Sequence, residues 1–183
     1  MIRTSQTHLL HIATLPMGNE GGAAGVTLAP GKHQAQAMTG SWARDLDTDL
    51  EAIKAWGATH LVTLLEPWEL DTLRIPDLPE RALRVGLQWH RLPVTDRAVP
   101  DERFLVPWQS LGPTLRHDIE NGARVVVHCM GGLGRAGTVA CLLLLDGDAS
   151  TSADDAMAQV RAVRPGAIET TAQEAFLRSL GRS

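Results

Sequence analysis

"VVVHCMGGLGRAGT", residues 125–138, sets a cysteine and an arginine six positions apart across three glycines, between one apolar run and another. Glycine weakens a strand or a helix by about 1 kcal/mol relative to alanine, so glycines this dense mark a turn whose backbone amides approach something closely. The run before them, RVVVH (124–128), reads as a buried strand. The run after them, Gly134 to Leu145, is apolar nearly all round, as a helix enclosed by a fold is. Residues 129–135 then turn from a strand end into a helix N-terminus, whose unpaired amides and positive dipole end bind anions. Cys129 stands at the mouth of that turn. The same field favours a thiolate, which takes a cysteine pKa from about 8.5 into the range of roughly 3.5–7.5. Arg135 adds a planar fork of donors that suits two phosphate oxygens at once. Nucleophile, amide cradle (Met130, Gly131, Gly132, Leu133, Gly134) and guanidinium converge on one tetrahedral anion.

The rest of the chain frames that turn. With 183 residues, 44% of them hydrophobic, the chain reads as one domain over residues 1–183 that needs no covalent staples. Its two cysteines, Cys129 and Cys141, form neither a disulfide framework nor a four-ligand zinc pattern, which points to a reducing cytoplasmic setting. The first twenty residues are interrupted by His8, His11 and Pro16 and make a poor signal peptide. The apolar run 139–145 is far shorter than the ~20 residues of a membrane span, so a soluble protein with no membrane contact is expected. Net charge is −4 and the basic residues are scattered, which argues against a nucleic-acid surface. Histidines 8, 11, 33, 60, 90 and 117 lack metal-ligand spacing, so neither a metal nor another cofactor is expected.

Strand and helix patterns alternate along the sequence. HLLHIATLPM and GVTLAPG form an N-terminal hairpin across the glycine-rich GNEGGAAG. TGSWARDLDTDLEAIKAWG carries Leu46, Leu50, Ile53 and Trp56 at helical spacing, with Thr39 and Ser41 as candidate caps and Gly57 as the stop. THLVTLLE is a short apolar strand, followed by proline-broken segments with short helices and a strand in LQWHRLPV. DERFLVPWQSLGPTLRHDIENG is helical, with Pro107 and Pro113 as points where it splits or kinks. STSADDAMAQVRAVRP and ETTAQEAFLRSLG supply two more helices on either side of Pro165–Gly166. This rhythm predicts an α/β fold with a central, mainly parallel sheet covered by helices on both faces.

The HC-x5-R stretch resembles the signature loop of cysteine-dependent protein phosphatases. The wording HCMGGLGRAGTVACLLLL resembles the kinase-associated, cyclin-dependent-kinase-inhibitor type of dual-specificity phosphatase. LAPGK, AIKAWGATHLVTLLEPWEL, RIPDL, WHRLPVTDRAVPD and GAIETTAQEAFL follow in the order that family shows, over residues 26–180. The resemblance implies a protein-tyrosine-phosphatase-like fold and hydrolysis of phosphate monoesters through a cysteinyl-phosphate. Cys129 would be the nucleophile, Arg135 the phosphate ligand and Asp96 the general acid on its own loop. Asp101, which also fits a helix N-cap after Pro100, is the alternative acid. His128 would brace the loop and Gln173 would orient the hydrolytic water. The family carries Ser or Thr after the loop arginine, where this chain has Ala136, and Thr138 faces elsewhere along the helix.

These residues imply a phosphorylated protein or peptide as partner. A phospho-ligand-binding module with slow turnover is the second reading, supported by Ala136. A phosphatase of phosphoinositides or other small phosphates is the third, weakened because MGGLG (130–134) holds no basic residue. Arg97, Arg161 and Arg164 are candidates for holding an acidic phosphopeptide or for plain surface charge.

Overall fold

Three consecutive valines cannot all face one core, because successive side chains on a strand point to opposite sides of its sheet. A computed structural model describes residues 1–147 and 151–180 of the chain. In it β7 (Arg124–His128) buries Val125 and Val127 in one hydrophobic cluster and Val126 in a second. The strand runs through the middle of a five-stranded sheet whose order is β1-β2-β7-β5-β6. The partners are β1 (Ala13–Pro16), β2 (Ala23–Thr27), β5 (His60–Thr63) and β6 (Gln88–Arg91). All neighbouring pairs are parallel except β1–β2, which form the expected N-terminal hairpin.

Helices cover both faces. One face carries α4 (Glu102–Glu120), α5 (Gly134–Leu145), α6 (Ala153–Val163) and α7 (Thr171–Leu180), with Phe104, Val139, Met157 and Leu177 in its core. The other carries α1 (Leu46–Ala55), α2 (Pro67–Thr72) and α3 (Leu78–Arg84), with Leu50, Leu70 and Leu78 in its core. The anion loop leaves the carboxyl end of the central strand, where open α/β sheets hold their ligands.

Two local expectations are corrected. Thr39 and Ser41 do not cap α1. They belong to a second hairpin of β3 (His33–Ala37) and β4 (Gly40–Ala43), turned at Gly40 with φ +104°. Asp45 is the cap, its carboxylate accepting from Thr48 N at 2.8 Å. Pro107 and Pro113 neither split nor end α4, because both lie on its exposed side, where water can satisfy the carbonyls they leave unpaired. The buried positions 104, 108, 112, 115 and 119 keep one continuous stripe on the other side.

The turn before β3 is fixed by a buried ion pair. Arg44 and Asp49, each 1% exposed, share two hydrogen bonds of 2.7 and 2.8 Å, and Asp49 also accepts from Gly31 N at 2.8 Å. Gly31 stands at φ +71°, and a Cβ there would lie 2.6 Å from that of Leu46. This turn sets Lys32 against the anion loop.

Breaking one partner of a buried pair costs about 3–5 kcal/mol, whereas replacing both by apolar groups is often neutral. Asp49→Ala should therefore lower the urea midpoint severely, and an Asp49→Leu/Arg44→Met double variant should recover most of the loss.

Candidate active site

The loop from Cys129 to Leu133 folds around its own sulfur. Cys129 is 3% exposed, and the Gly132 N–H donates to its Sγ at 3.3 Å, a bond that a thiolate accepts better than a thiol. Gly132 holds φ +69°, and a Cβ on it would come within 2.4 Å of the Thr27 carbonyl, so only glycine fits. The N–H groups of Gly131, Leu133, Arg135 and Ala136 have no partner among the described residues. The carbonyls, by contrast, are pinned from outside. Lys32 Nζ donates to Met130 O at 3.2 Å, and Arg164 donates to the Gly132 and Gly131 oxygens at 2.9 and 3.0 Å. Turning the carbonyls outward onto cations leaves the amides facing the loop's interior. Burial draws the Lys32 ammonium down to about 8 against the opposing pull of the Cys129 charge, with Arg44 and Arg164 lowering it further.

Arg135 is 2% exposed and clamped. Its Nη1 and Nη2 donate to the two carboxylate oxygens of Glu69 at 2.8 and 3.0 Å, and Nη1 also donates to Val94 O at 3.0 Å. Burial is the largest single influence and opposes its charge, but the Glu69 hydrogen bonds and the charges of Cys129, Glu69 and Asp96 together outweigh it, so its pKa rises. Its Nε is buried with no partner among the described residues. A buried donor left so costs about 1–3 kcal/mol, which a bound oxyanion would recover. Glu69 is itself fully buried and is held by Glu66 N at 2.8 Å.

Asp96 and Asp101, which sequence left as alternatives, are separated by the fold. Asp96 Oδ1 lies 3.2 Å from Arg135 Nη2, and its side chain is 55% exposed. Asp101 caps α4 through Arg103 N at 3.0 Å, and the Arg103 side chain holds its carboxyl below the usual range. Only Asp96 faces the loop.

His128 is fully buried between strands, and its hydrogen bonds fix its tautomer. Cys129 O can only accept, so the Nδ1 that lies 3.2 Å away carries the proton. Nε2 then accepts from Thr63 Oγ1 at 2.7 Å, and that oxygen accepts from Trp89 Nε1 at 2.9 Å. Burial, with the nearby Arg135 charge, draws the histidine down to about 4 against the raising effect of its bond to Cys129 O. It is neutral and braces the loop.

Gln173 is also fully buried, with both ends of its amide committed. Its Oε1 accepts from Glu169 N at 3.0 Å and Thr170 N at 3.2 Å, while Nε2 donates to Ala98 O at 3.2 Å on the Asp96 turn. Glu169 reaches the loop directly, accepting from Gly134 N at 3.0 Å. Thr138 Oγ1 donates to Gly134 O at 2.8 Å, so it does not replace the hydroxyl missing at Ala136. Arg161 is committed to the Ala167 and Ile168 oxygens, and Arg97 carries the left-handed corner of the Asp96 turn at φ +61°. Glu69, Thr63, Lys32 and Glu169 escaped the sequence reading. The one local signal was Glu66-Pro67-Trp68-Glu69, a capping box read backwards from the end of a strand. Among the described residues no group of three or more His, Cys, Asp or Glu could hold a metal, and no helix is long and apolar enough to cross a membrane.

Sheet, loop and clamped arginine define a protein of the C-x5-R anion-loop class. Residues 35–177 match the family described as the Swiss Army Knife protein, DSP-PTPase phosphatase domain. The chain is 33% identical over 135 residues to cyclin-dependent kinase inhibitor 3 of Mus musculus and 30% identical to that of Homo sapiens. Each match covers 73% of this chain and 62% of the relative, so the chain spans less than two thirds of these proteins' length. Among solved structures, kinase associated phosphatase with its catalytic-site cysteine replaced by serine superposes with TM-score 0.81 at 26% identity, covering 93% of both chains. Tk-PTP in its active form gives 0.68 at 25% identity, covering 92% of this chain and 96% of the other. The chain belongs to the DSP-PTPase family, and its protein-tyrosine-phosphatase-like fold is as the sequence predicts.

A histidine held near 4 when folded and near 6.5 when unfolded has a defined pH signature. Its neutral burial is free of cost above 6.5, and stability falls as pH drops from 6.5 to 4, by roughly 3 kcal/mol in all. His60 and His90, also lowered chiefly by burial, act in the same direction. Denaturant titrations of wild type and His128→Gln between pH 4 and 7 should differ in slope across that window.

Proposed function

We propose that the protein is a phosphomonoesterase that hydrolyses Tyr, Ser or Thr phosphate esters on proteins through a cysteinyl-phosphate. The observation that carries this reading is the buried, unpartnered Arg135 Nε beside Cys129 and four free loop amides. Such a cradle is short of an anion's acceptor oxygens. The loop amides and Arg135 bind the phosphoryl oxygens. The Cys129 thiolate attacks phosphorus, the ester P–O bond breaks, and Asp96 protonates the departing oxygen. Water then attacks phosphorus, the P–S bond breaks, and the Asp96 carboxylate takes the water's proton. His128 braces the cysteine through its carbonyl. Gln173 ties the Asp96 turn to α7 through Oε1 and one Nε2 hydrogen, and its second Nε2 hydrogen is left to orient the water, the role the resemblance implies. No cofactor takes part.

A phospho-ligand-binding module is the second reading, and Ala136 supports it. The Gly132 N–H gives the leaving thiolate one donor, and the family's hydroxyl would give another. The phosphoinositide reading gains little from Lys32 and Arg164, which hold the loop from its carbonyl side.

Cys129→Ser should abolish turnover while retaining tungstate binding, because a serine hydroxyl is not ionised near neutral pH. Asp96→Asn should slow phosphopeptides far more than aryl phosphates and remove the basic limb of the pH–rate profile. If Asp101→Asn does so instead, the acid is misassigned.

One missing charge-assisted hydrogen bond is worth about 1–3 kcal/mol, or roughly tenfold and upward in rate. Rapid mixing of the native protein with an aryl phosphate should thus show a burst approaching one product per site. Ala136→Ser should shrink the burst and raise the steady rate; no burst and no change would mean that the Gly132 amide suffices.

A further inference from the structure

Beside the anion loop lies a cleft of about 490 Å³ between the β3–β4 hairpin and the turn that follows α2. Its volume is that of a small ligand pocket. One wall is Gln34 and Trp42, the other is Leu73 and Arg74, and Met130 closes the end nearest the nucleophile. Met130 is the residue after Cys129, and Gln34 Nε2 donates to its sulfur at 3.6 Å, which keeps that side chain on the wall. The cleft therefore meets the loop at Met130.

Its charge differs from that of the chain as a whole. The protein has 21 acidic residues against 17 basic ones, yet no carboxylate lines the cleft. His33 and Arg74 do line it, and Arg3, Lys32 and Arg44 lie 5.2, 5.1 and 5.6 Å from the centre of the Trp42 ring. Arg44 is neutralised by Asp49 and Lys32 is spent on the loop, but Arg74 is exposed and has no ion-pair partner among the described residues. Arg74 also holds φ +59°, a left-handed conformation that few non-glycine residues adopt. The apolar material is there too: Leu73 is buried in the floor, while Ile2, 59% exposed, stands on the rim.

We propose that this cleft docks the segment flanking the phosphorylated residue, and that it selects acidic side chains with Arg74 as the reading residue. The proposal rests on the phosphatase reading and names the substrate class for it. An extended peptide advances about 3.3 Å per residue, so with the phosphoryl group on Cys129, residues a few positions away reach past Met130. Ile2 and the edge of Trp42 take their apolar stems, and Arg74 pairs with their carboxylates. A charge at such a rim sets partner choice more than raw affinity.

The test compares kcat/KM for phosphopeptides with Asp/Glu or Lys flanks, for an aryl phosphate, and for phosphoinositide vesicles, in wild type, Arg74→Glu and Arg74→Lys. Reversing a rim charge removes one attraction and adds one repulsion, so Arg74→Glu should lower the acidic-peptide value about tenfold and raise the Lys-flanked one. Arg74→Lys should stay near wild type, and the aryl phosphate should not change in any variant. Equal handling of acidic and basic peptides by the wild type, with normal aryl phosphate cleavage, would overturn the docking proposal alone. Vesicles turned over faster than every peptide, and sensitive to Arg74→Glu, would overturn it in favour of a lipid headgroup. If no aryl phosphate is cleaved, the phosphatase reading fails. Titration of the acidic phosphopeptide against wild type and Arg74→Glu, followed by tryptophan fluorescence, then decides docking: a weaker complex in the variant supports it, and no difference overturns it.

Discussion

Arg135, at the end of the anion loop, is costly to bury. A guanidinium 1% exposed at the end of a sheet cannot stand alone, since the penalty for desolvating an ion is several kcal/mol. Glu69 meets it with both oxygens, and that single pair joins α2 to α5 across the carboxyl ends of the strands. Glu69 is in turn fixed by Glu66 N, and the Glu66 carboxylate receives Arg103 Nη1 at 2.7 Å. Arg103 also holds Thr95 Oγ1 at 3.1 Å and the α4 cap Asp101. One chain of ion pairs and hydrogen bonds therefore links α5, α2 and the turn that carries Asp96.

The anion loop follows a second constraint, that peptide dipoles point where their surroundings push them. Its sequence holds no cation between Cys129 and Arg135, yet Lys32 and Arg164 sit behind its carbonyls. From there they orient the amides inward without entering the pocket or covering the sulfur. A lysine in place of Gly132 would put charge inside the loop and lose the φ and the close approach to Thr27 that glycine allows.

What the sequence allowed to be read tracks how far apart the partners lie along it. Strand, cysteine, glycines and arginine occupy one short β-turn-α passage, so local rules reach Cys129 and Arg135 and the parallel sheet around them. Glu69 lies 66 positions from Arg135 and Lys32 98 from Met130, and no periodicity reports such a meeting. The sequence sets Asp96 apart from Asp101 only through the family resemblance and the N-cap position of Asp101, and the helix start at Glu102 makes Asp101 that cap. The β3–β4 hairpin was hidden because its strands are short and half exposed, leaving Thr39 and Ser41 to look like helix caps. Its reading matters, since that hairpin forms one wall of the cleft beside the loop.

Rigidity is distributed unevenly over the site, and the chemistry asks for that. The nucleophile and the arginine must hold still, and both are almost wholly buried among fixed partners. Asp96, by contrast, is 55% exposed. Its backbone is nevertheless held on both sides. Ala98 N donates to Thr95 O at 3.0 Å within the turn, and Ala98 O accepts from the buried Gln173. Arg97, between them, keeps a left-handed φ of 61° that few non-glycine residues adopt. Such backbone is retained only where surroundings over-determine it, and here the surroundings are α7 and the Arg103 network. An exposed carboxylate thus stands on a turn whose backbone is tied on both sides.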